Sequence, residues 1–322
     1  MTSIPWYARR PLVALAPMEG VTDGPYRRVC RELAPEAVLF TEFTSAQGLL
    51  HGNERTWGMA RFAEQERPIV VQLYGGEPGA LAAAARAVEE QVRPDGIDLN
   101  LGCPVKKVLA RGEGCALMKD PARAREIVQA MKEAIRVPLS AKMRLGWESR
   151  EEAVPFACLL AEAGVEALTV HGRLRRDRPR HPADWEAIAR VKASLGIPVI
   201  GNGDIVSGEE TARRQRESGV DGVMIARGAM GNPWLLAEAR AALAGEPIPA
   251  PPTLAERARV AARHLDLNIE RHGERRGVLI MRKHYSSYLG GFPGARELRQ
   301  RLVRAATRDE VLALLAPLRT GS

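Results

Sequence analysis

Residues 96–104 read Gly96-Ile97-Asp98-Leu99-Asn100-Leu101-Gly102-Cys103-Pro104. The opening of this stretch is a short, mainly apolar run stopped by a glycine, the pattern of a strand buried on both faces. Residues 79–91 before it and 121–135 after it are amphipathic, with apolar positions at helical spacing. The same unit recurs along the chain. Apolar runs bounded by turn residues occupy 12–17, 37–42, 68–75, 96–102, 138–146, 167–172, 198–204 and 222–228, roughly thirty residues apart. Further amphipathic stretches at 151–163, 183–195 and 208–218 continue the alternation. Eight such units predict an α/β protein of the (β/α)8 TIM-barrel class. A doubly wound open sheet is the alternative. No G-x-G-x-x-G follows the first run, which weakens the nucleotide-binding form of that alternative.

The barrel is expected to span 1–244. Gly245-Glu246-Pro247-Ile248-Pro249-Ala250-Pro251-Pro252 cannot continue a helix and reads as a linker. Helical spacing returns over 254–271, 278–289 and 296–318, with a break at Gly290-Gly291-Phe292-Pro293-Gly294. A small C-terminal helical domain over 253–322 is therefore expected.

The chain has 322 residues, 45% of them hydrophobic, enough for one large core and a small one. Residues 1–11 lack the apolar segment of a secretory leader and end in Arg9-Arg10-Pro11. No run approaches the roughly eighteen apolar residues of a spanning helix. A soluble, cytoplasmic protein is expected, with nothing demanding more than a monomer. Cys30, Cys103, Cys115 and Cys158 form no C-x-x-C pair and no zinc-spaced cluster, so no metal site is expected. Cys30 and Cys158 read as small buried hydrophobes. Residues 253–322 hold 14 Lys/Arg against 7 Asp/Glu, while the preceding 252 residues hold 33 against 32. The basic excess therefore belongs to the C-terminal segment, which points to a polyanionic partner there.

Active sites of (β/α)8 barrels lie at the C-terminal ends of the strands. Here those ends carry, in order, Ala16-Pro17-Met18-Glu19, Thr41-Glu42, Gln72, Asn100-Leu101-Gly102-Cys103-Pro104, Lys142 with Arg144, His171-Gly172-Arg173, Asn202-Gly203-Asp204 and Ala226-Arg227-Gly228. A polar residue in a buried strand is costly unless paired or used. Polar groups at all eight ends indicate one shared site.

The residue types fit a flavin mononucleotide. Asn202-Gly203-Asp204 and Ala226-Arg227-Gly228 offer backbone N–H groups and a guanidinium to a phosphate. Lys142 can balance negative charge at the pyrimidine end of an isoalloxazine ring. Gln72 offers a donor and an acceptor to the same edge. His171 can position the ring or approach the phosphate.

Several motifs resemble the tRNA-dihydrouridine synthases. They are Ala16-Pro17-Met18-Glu19-Gly20-Val21-Thr22-Asp23, Gln72-Leu73-Tyr74-Gly75, Asp98-Leu99-Asn100-Leu101-Gly102-Cys103-Pro104, Lys142-Met143-Arg144-Leu145-Gly146-Trp147, Thr169-Val170-His171-Gly172-Arg173 and Asn202-Gly203-Asp204-Ile205. Arg282-Lys283-His284, with Tyr285 and Tyr288, is similar to the helical tail of that family, particularly its B-type bacterial branch. The resemblance implies a TIM barrel that binds FMN and takes electrons from NADPH or NADH to reduce the C5–C6 bond of uridine in the tRNA D-loop. It implies flavin ligands at Pro17, Met18, Glu19, Gln72, Lys142, His171, Asn202, Gly203, Asp204, Ala226 and Arg227. It makes Cys103 the proton donor and places Asn100 against the uracil. One departure is Ala226-Arg227-Gly228, where the family usually has Gly-Arg.

A target uridine must be turned out of its stack, at a cost of a few kcal/mol, so the enzyme needs a grip on the rest of the RNA. The candidates are Arg271, Arg275, Arg276, Arg282, Lys283, Arg299 and Arg304, with Tyr285 and Tyr288 either stacking on bases or packing the helices of the small domain. A second basic run, from His171 to His181, holds five arginines. Arg144 and Arg173 are placed nearest the target nucleotide. The rival readings are a flavin enzyme of free pyrimidines, which needs no basic tail, and a non-catalytic RNA-binding barrel, which needs no polar strand ends.

Overall fold

The computed structural model of the protein describes Trp6 and residues 11–319. The N-terminal stretch read against a secretory leader lies, Trp6 and Pro11 apart, outside the described residues, as do the last three residues of the chain. Nine strands form among the described residues: β1 (Leu12–Leu15), β2 (Val38–Phe40), β3 (Thr44–Ser45), β4 (Ile69–Tyr74), β5 (Gly96–Leu101), β6 (Leu139–Gly146), β7 (Ala167–Leu174), β8 (Val199–Asn202) and β9 (Gly222–Ile225). All pairings are parallel, and β1 pairs with both β2 and β9. Pairing of β2 with β4 completes the ring, so eight strands form a closed barrel and β3 is a short addition on β4. Each of the eight predicted runs marks one barrel strand, β7 extending two residues beyond its run. The two-residue β3 is too short to leave a periodic signal.

Side chains alternate across each strand, and the two faces differ in chemistry. The outer faces and the surrounding helices make the main core. The inner faces make a second, smaller cluster that includes Trp6, Leu12, Phe40, Val70, Ile200 and Met224. Trp6 meets Phe40 edge-on, with centroids 6.3 Å apart. Above this apolar floor the inward residues turn polar. Gln72, Asp98, Ser140, Thr169 and Asn202 are all buried. Register aligns them: Gln72 pairs with Asp98, Asn100 with Lys142, Arg144 with His171, and His171 with Asn202.

The expected barrel helices form at Pro78–Val92, Pro121–Ala134, Ala153–Ala163, Trp185–Ser194 and Gly208–Ser218. Helices at Gly24–Leu33, Ala46–Leu50, Glu54–Ala60 and Leu235–Ala244 add to them. Residues 246–253 carry no helix or strand. The C-terminal region is helical, as expected, but more finely divided. Its helices are Leu254–His272, Glu274–Met281, Tyr285–Tyr288, Ala295–Leu302 and Arg308–Arg319. Thr253 and Glu256 form a reciprocal cap at the start of the first, with Thr253 N–H donating to Glu256 at 2.7 Å. The expected helix over 278–289 breaks where His284 N–H bonds back three residues to Met281 at 2.9 Å. That over 296–318 breaks where Glu310 accepts the Ala306 N–H at 2.7 Å and starts a new helix. Among the described residues, no helix is long and apolar enough to cross a membrane. Cys30 is buried as expected, whereas Cys158 is partly exposed, its thiol near the Ser194 carbonyl.

Candidate active site

The ends of β7, β8 and β9 build one wall of the barrel mouth. After β8 the chain turns through Gly203 at φ 136° and Asp204 at φ 55°. A Cβ at Gly203 would stand 2.6 Å from Ala183 Cβ, so both conformation and packing require glycine there. At Gly228 a Cβ would stand 2.2 Å from the Ile205 carbonyl oxygen. The two turns thus approach one another more closely than any side chain permits.

Between them opens a cavity of about 590 Å³. Pro17, Met18, Lys142, His171, Asn202, Gly203, Asp204, Ala226 and Arg227 all line it. Glu19 and Gln72 line an adjoining cavity of about 280 Å³, together with Asn100 and Cys103. Lys142, Arg144 and His171 border both spaces. The eleven residues expected to hold a flavin therefore line two neighbouring cavities with shared walls.

Asp98 organises the deep end. Its carboxylate accepts from Ser140 Oγ at 2.6 Å and from Gln72 Nε2 at 2.7 Å. Gln72 Oε1 accepts from Asn100 Nδ2 at 2.8 Å. Asn100 Oδ1 accepts the Cys103 N–H at 2.9 Å and the Gly102 N–H at 3.1 Å. One chain of bonds thus runs from the barrel floor to the cysteine loop. Sequence reasoning gave Asp98 no role. Its signal was an acidic residue inside an otherwise apolar buried run. Burial pushes the Asp98 carboxyl up to about 6, with the bonds from Ser140 and Gln72 opposing. Burial, with the Arg144 charge nearby, brings the Lys142 ammonium down to about 8.

Cys103 is buried and held on both sides of its backbone. Besides the bond to Asn100, its carbonyl accepts the Cys115 N–H at 3.1 Å. Gly114, at φ 60°, packs against it so closely that a Cβ there would lie 3.1 Å from Cys103 Cβ. Burial raises the pKa of the Cys103 thiol, against the nearby Val105 N–H, which favours the thiolate. Arg144 Nε donates to the Gly102 carbonyl at 2.9 Å, so this guanidinium also braces the cysteine loop.

At the opposite end two arginines share Asp204. Arg173 binds both carboxylate oxygens, at 2.6 and 2.7 Å, and Arg227 binds one at 3.0 Å. Burial, the largest single influence, would raise the pKa of Asp204; the bonds from Arg173 and the Ala183 N–H, with the charges of Arg173 and Arg227, together outweigh it and the net shift is downward. Arg173 also donates to the carbonyls of His181 at 2.7 Å and Pro179 at 3.1 Å. It is only 3% exposed. Expected beside the target nucleotide, it lines the large cavity with its donors directed to the cavity wall. Its remaining bond, 3.1 Å to His171 Nε2, makes that nitrogen an acceptor, because a guanidinium can only donate. His171 is thus neutral with its proton on Nδ1, and burial with the surrounding cations lowers its pKa well below the usual value. Arg227 is more than half exposed and faces the cavity.

Arg282 and Lys283 lie outside both cavities. Arg282 donates to the Ala305 carbonyl at 3.3 Å, and Lys283 Nζ to the Gly20 carbonyl. Of the two roles open to Tyr285 and Tyr288, the structure has the packing one: both are fully buried in the helical region. Tyr288 meets Trp234 edge-on at 6.3 Å. Of the second basic run, Arg175 stacks on Trp147 at 4.0 Å and Arg176 pairs with Glu148 at 3.3 Å. Arg178 and Arg180 face solvent.

The chain matches the family model described as dihydrouridine synthase (Dus) over residues 14–320. It is 40% identical to tRNA-dihydrouridine synthase B of Pseudomonas aeruginosa, over 92% of this chain and 89% of that one. It is 39% identical to a probable tRNA-dihydrouridine synthase of Mycobacterium tuberculosis, over 94% of this chain and 81% of its relative. Among solved structures, histamine dehydrogenase from Rhizobium sp. 4-9 superposes with a TM-score of 0.56 at 13% identity, covering 96% of this chain and 62% of that one. That likeness is one of fold. With the cleft, the motifs and a match over nearly its whole length, the chain belongs to the dihydrouridine synthase family.

Proposed function

We propose that this chain is a tRNA-dihydrouridine synthase that binds FMN, takes electrons from NADPH or NADH, and reduces the C5–C6 bond of uridine in the tRNA D-loop. The observation that carries this reading is the Cys103 thiol, its backbone fixed by Asn100, in a cavity that it shares with Lys142, Arg144 and His171. The donor set suits the cofactor. Arg227 and the first N–H groups of the turn Arg227–Ala229 have no partners within that turn, and Gly203 lets the opposite backbone approach. These groups would hold the phosphate, and Lys142, Gln72 and Glu19 would face the ring.

A flavin held by these residues would supply the hydride, and the acceptor is C6 of the uracil, which is electrophilic through conjugation with the C4 carbonyl. The enolate that forms needs a proton at C5. Cys103 donates it from Sγ, and its raised pKa keeps the thiol protonated at neutral pH. Asn100 holds the cysteine backbone and borders the same cavity, where it can reach the base. Lys142 remains mainly cationic at neutral pH and stabilises negative charge at the ring edge. Residues 1–244 form the catalytic domain in this reading, and 253–322 hold the RNA through Arg275, Arg276, Arg301 and Arg304, which are exposed. That grip offsets the few kcal/mol of turning the base out.

The test is dihydrouridine content at each D-loop position in tRNA from a strain lacking the gene. Restoration by wild type but not by Cys103→Ala supports the reading. Full dihydrouridine in the deletion strain, with no second synthase present, sends the reading to free pyrimidines.

A further inference from the structure

The helical region meets the barrel at the two loops whose residues line the large cavity. The first follows β1. Its Met18 carbonyl accepts the N–H groups of Val21 and Thr22, each at 3.0 Å, and Met18 N–H donates to Thr22 Oγ1 at 2.9 Å. This makes a tight turn with Gly20 at φ 70° on its outside. Gly20 is pinned from both directions: its N–H donates to Glu42 Oε1, and its carbonyl accepts from Lys283 Nζ. Pro17 and Met18, just before the turn, form the cavity wall.

The second loop follows β9. Ala229, directly after Arg227-Gly228, accepts from the Tyr26 hydroxyl. Two residues on, Gly231 at φ 64° lies against the helical region. A Cβ there would stand 2.3 Å from Ser287 Cβ and 3.1 Å from Tyr288 N. Tyr26 ties the two contacts together, its ring stacking on His284 at 5.6 Å and 14°. Residues 283–288 therefore touch the backing of both loops.

We infer that this segment sets the spacing of the two flavin-binding loops, so that Lys283 and Tyr26 are positioning residues for the cofactor. Lys283 is exposed and cationic, yet it donates to the backbone of the first loop. The inference rests on the reading of the cleft as a flavin site. It separates two jobs within the basic tail: residues 283–288 hold the cofactor loops, and the arginines farther out hold RNA.

The experiment uses full-length protein with Lys283→Met, Lys283→Arg and Tyr26→Phe. FMN Kd is read by flavin fluorescence quenching on reconstituting the apoprotein, and tRNA Kd by filter binding. Thermal denaturation confirms that each variant is folded. Loss of one hydrogen bond at a loop predicts that Lys283→Met and Tyr26→Phe each raise the FMN Kd about three- to tenfold. Their tRNA Kd stays within about twofold of wild type on the same reasoning, and Lys283→Arg, which keeps a donor, restores FMN binding. An unchanged FMN Kd in both variants overturns the inference, whether or not tRNA binding weakens. A wild-type protein that takes up no FMN fails the flavin reading itself, and this inference with it.

Discussion

The side chain of Asn100 holds the backbone of Cys103: its Oδ1 accepts the cysteine N–H at 2.9 Å, while its Nδ2 donates to Gln72 at 2.8 Å. An amide has one acceptor and one donor end, so both ends are committed to fixing the position of a thiol relative to the barrel wall. The same amide cannot turn over without losing both bonds.

Asn100→Ala should therefore impair catalysis while Cys103 stays intact. A misplacement near 1 Å costs about a hundredfold in rate, and removing a general acid costs about 10²- to 10⁴-fold. Single-turnover reduction of tRNA by pre-reduced enzyme should slow by about tenfold or more in Asn100→Ala and further in Cys103→Ala, on those magnitudes. A normal rate in Asn100→Ala would show that the loop needs no such anchor.

Lys142 gives a pH dependence. With its pKa lowered to about 8 by burial, the ammonium loses its proton as pH rises through that value. Cys103 has its own pKa raised, so it keeps its proton there. Activity should fall on the alkaline side as Lys142 neutralises. Lys142→Arg, which stays charged, should remove that limb from the profile of kcat/KM even if its absolute rate is lower. An alkaline limb identical in Lys142→Arg would assign the limb to another group.

His264 and His284 predict an acid sensitivity of stability. Their rings lie 4.6 Å apart, buried between the helical region and Tyr26. Burial lowers both pKa values, that of His284 to about 3. A lowered folded-state pKa means that stability is complete above the unfolded value near 6.5 and is lost as pH falls toward about 3. His284 should contribute a loss on the order of 1.4 kcal/mol per pH unit within that window, and His264 a loss in the same direction. Urea unfolding at pH 7.5 and 5.0 measures it, and His284→Asn should show a shallower slope than wild type.

Arg27 and Glu66 form a buried pair at 2.5 Å, with side chains 1% and 2% exposed. Arg27 also donates to the Thr22 carbonyl at 2.9 Å, so the pair anchors the helix that carries Tyr26. Removing one partner leaves an uncompensated buried charge, at about 3–5 kcal/mol. Arg27→Met should lose that much in urea unfolding, and the double variant Arg27→Met/Glu66→Leu should regain part of it. No recovery in the double variant would mean that packing, not charge, dominates.

Local pattern alone determined much of this protein. Apolar runs alternating with helical spacing marked all eight barrel strands, because a strand buried on both faces and an amphipathic helix each write their period into neighbouring residues. The polar residues at strand ends marked the cleft, because a buried polar group needs a use or a partner. Gly203 and Gly228 were visible in the strand-end triplets offered to a phosphate, although only the structure shows what a side chain there would strike.

Tertiary structure decided the partners. Arg173 and Arg227 look alike as strand-end arginines, but Arg173 is buried against Asp204, 31 residues away, while Arg227 stays open to the cavity. Tyr285 and Tyr288 sit among basic residues in sequence and inside the helical core in space. Lys283 finds its acceptor at Gly20, 263 positions earlier. Charge and aromaticity are properties of a residue, but whether they face RNA, cofactor or core is set by contacts that no local period records.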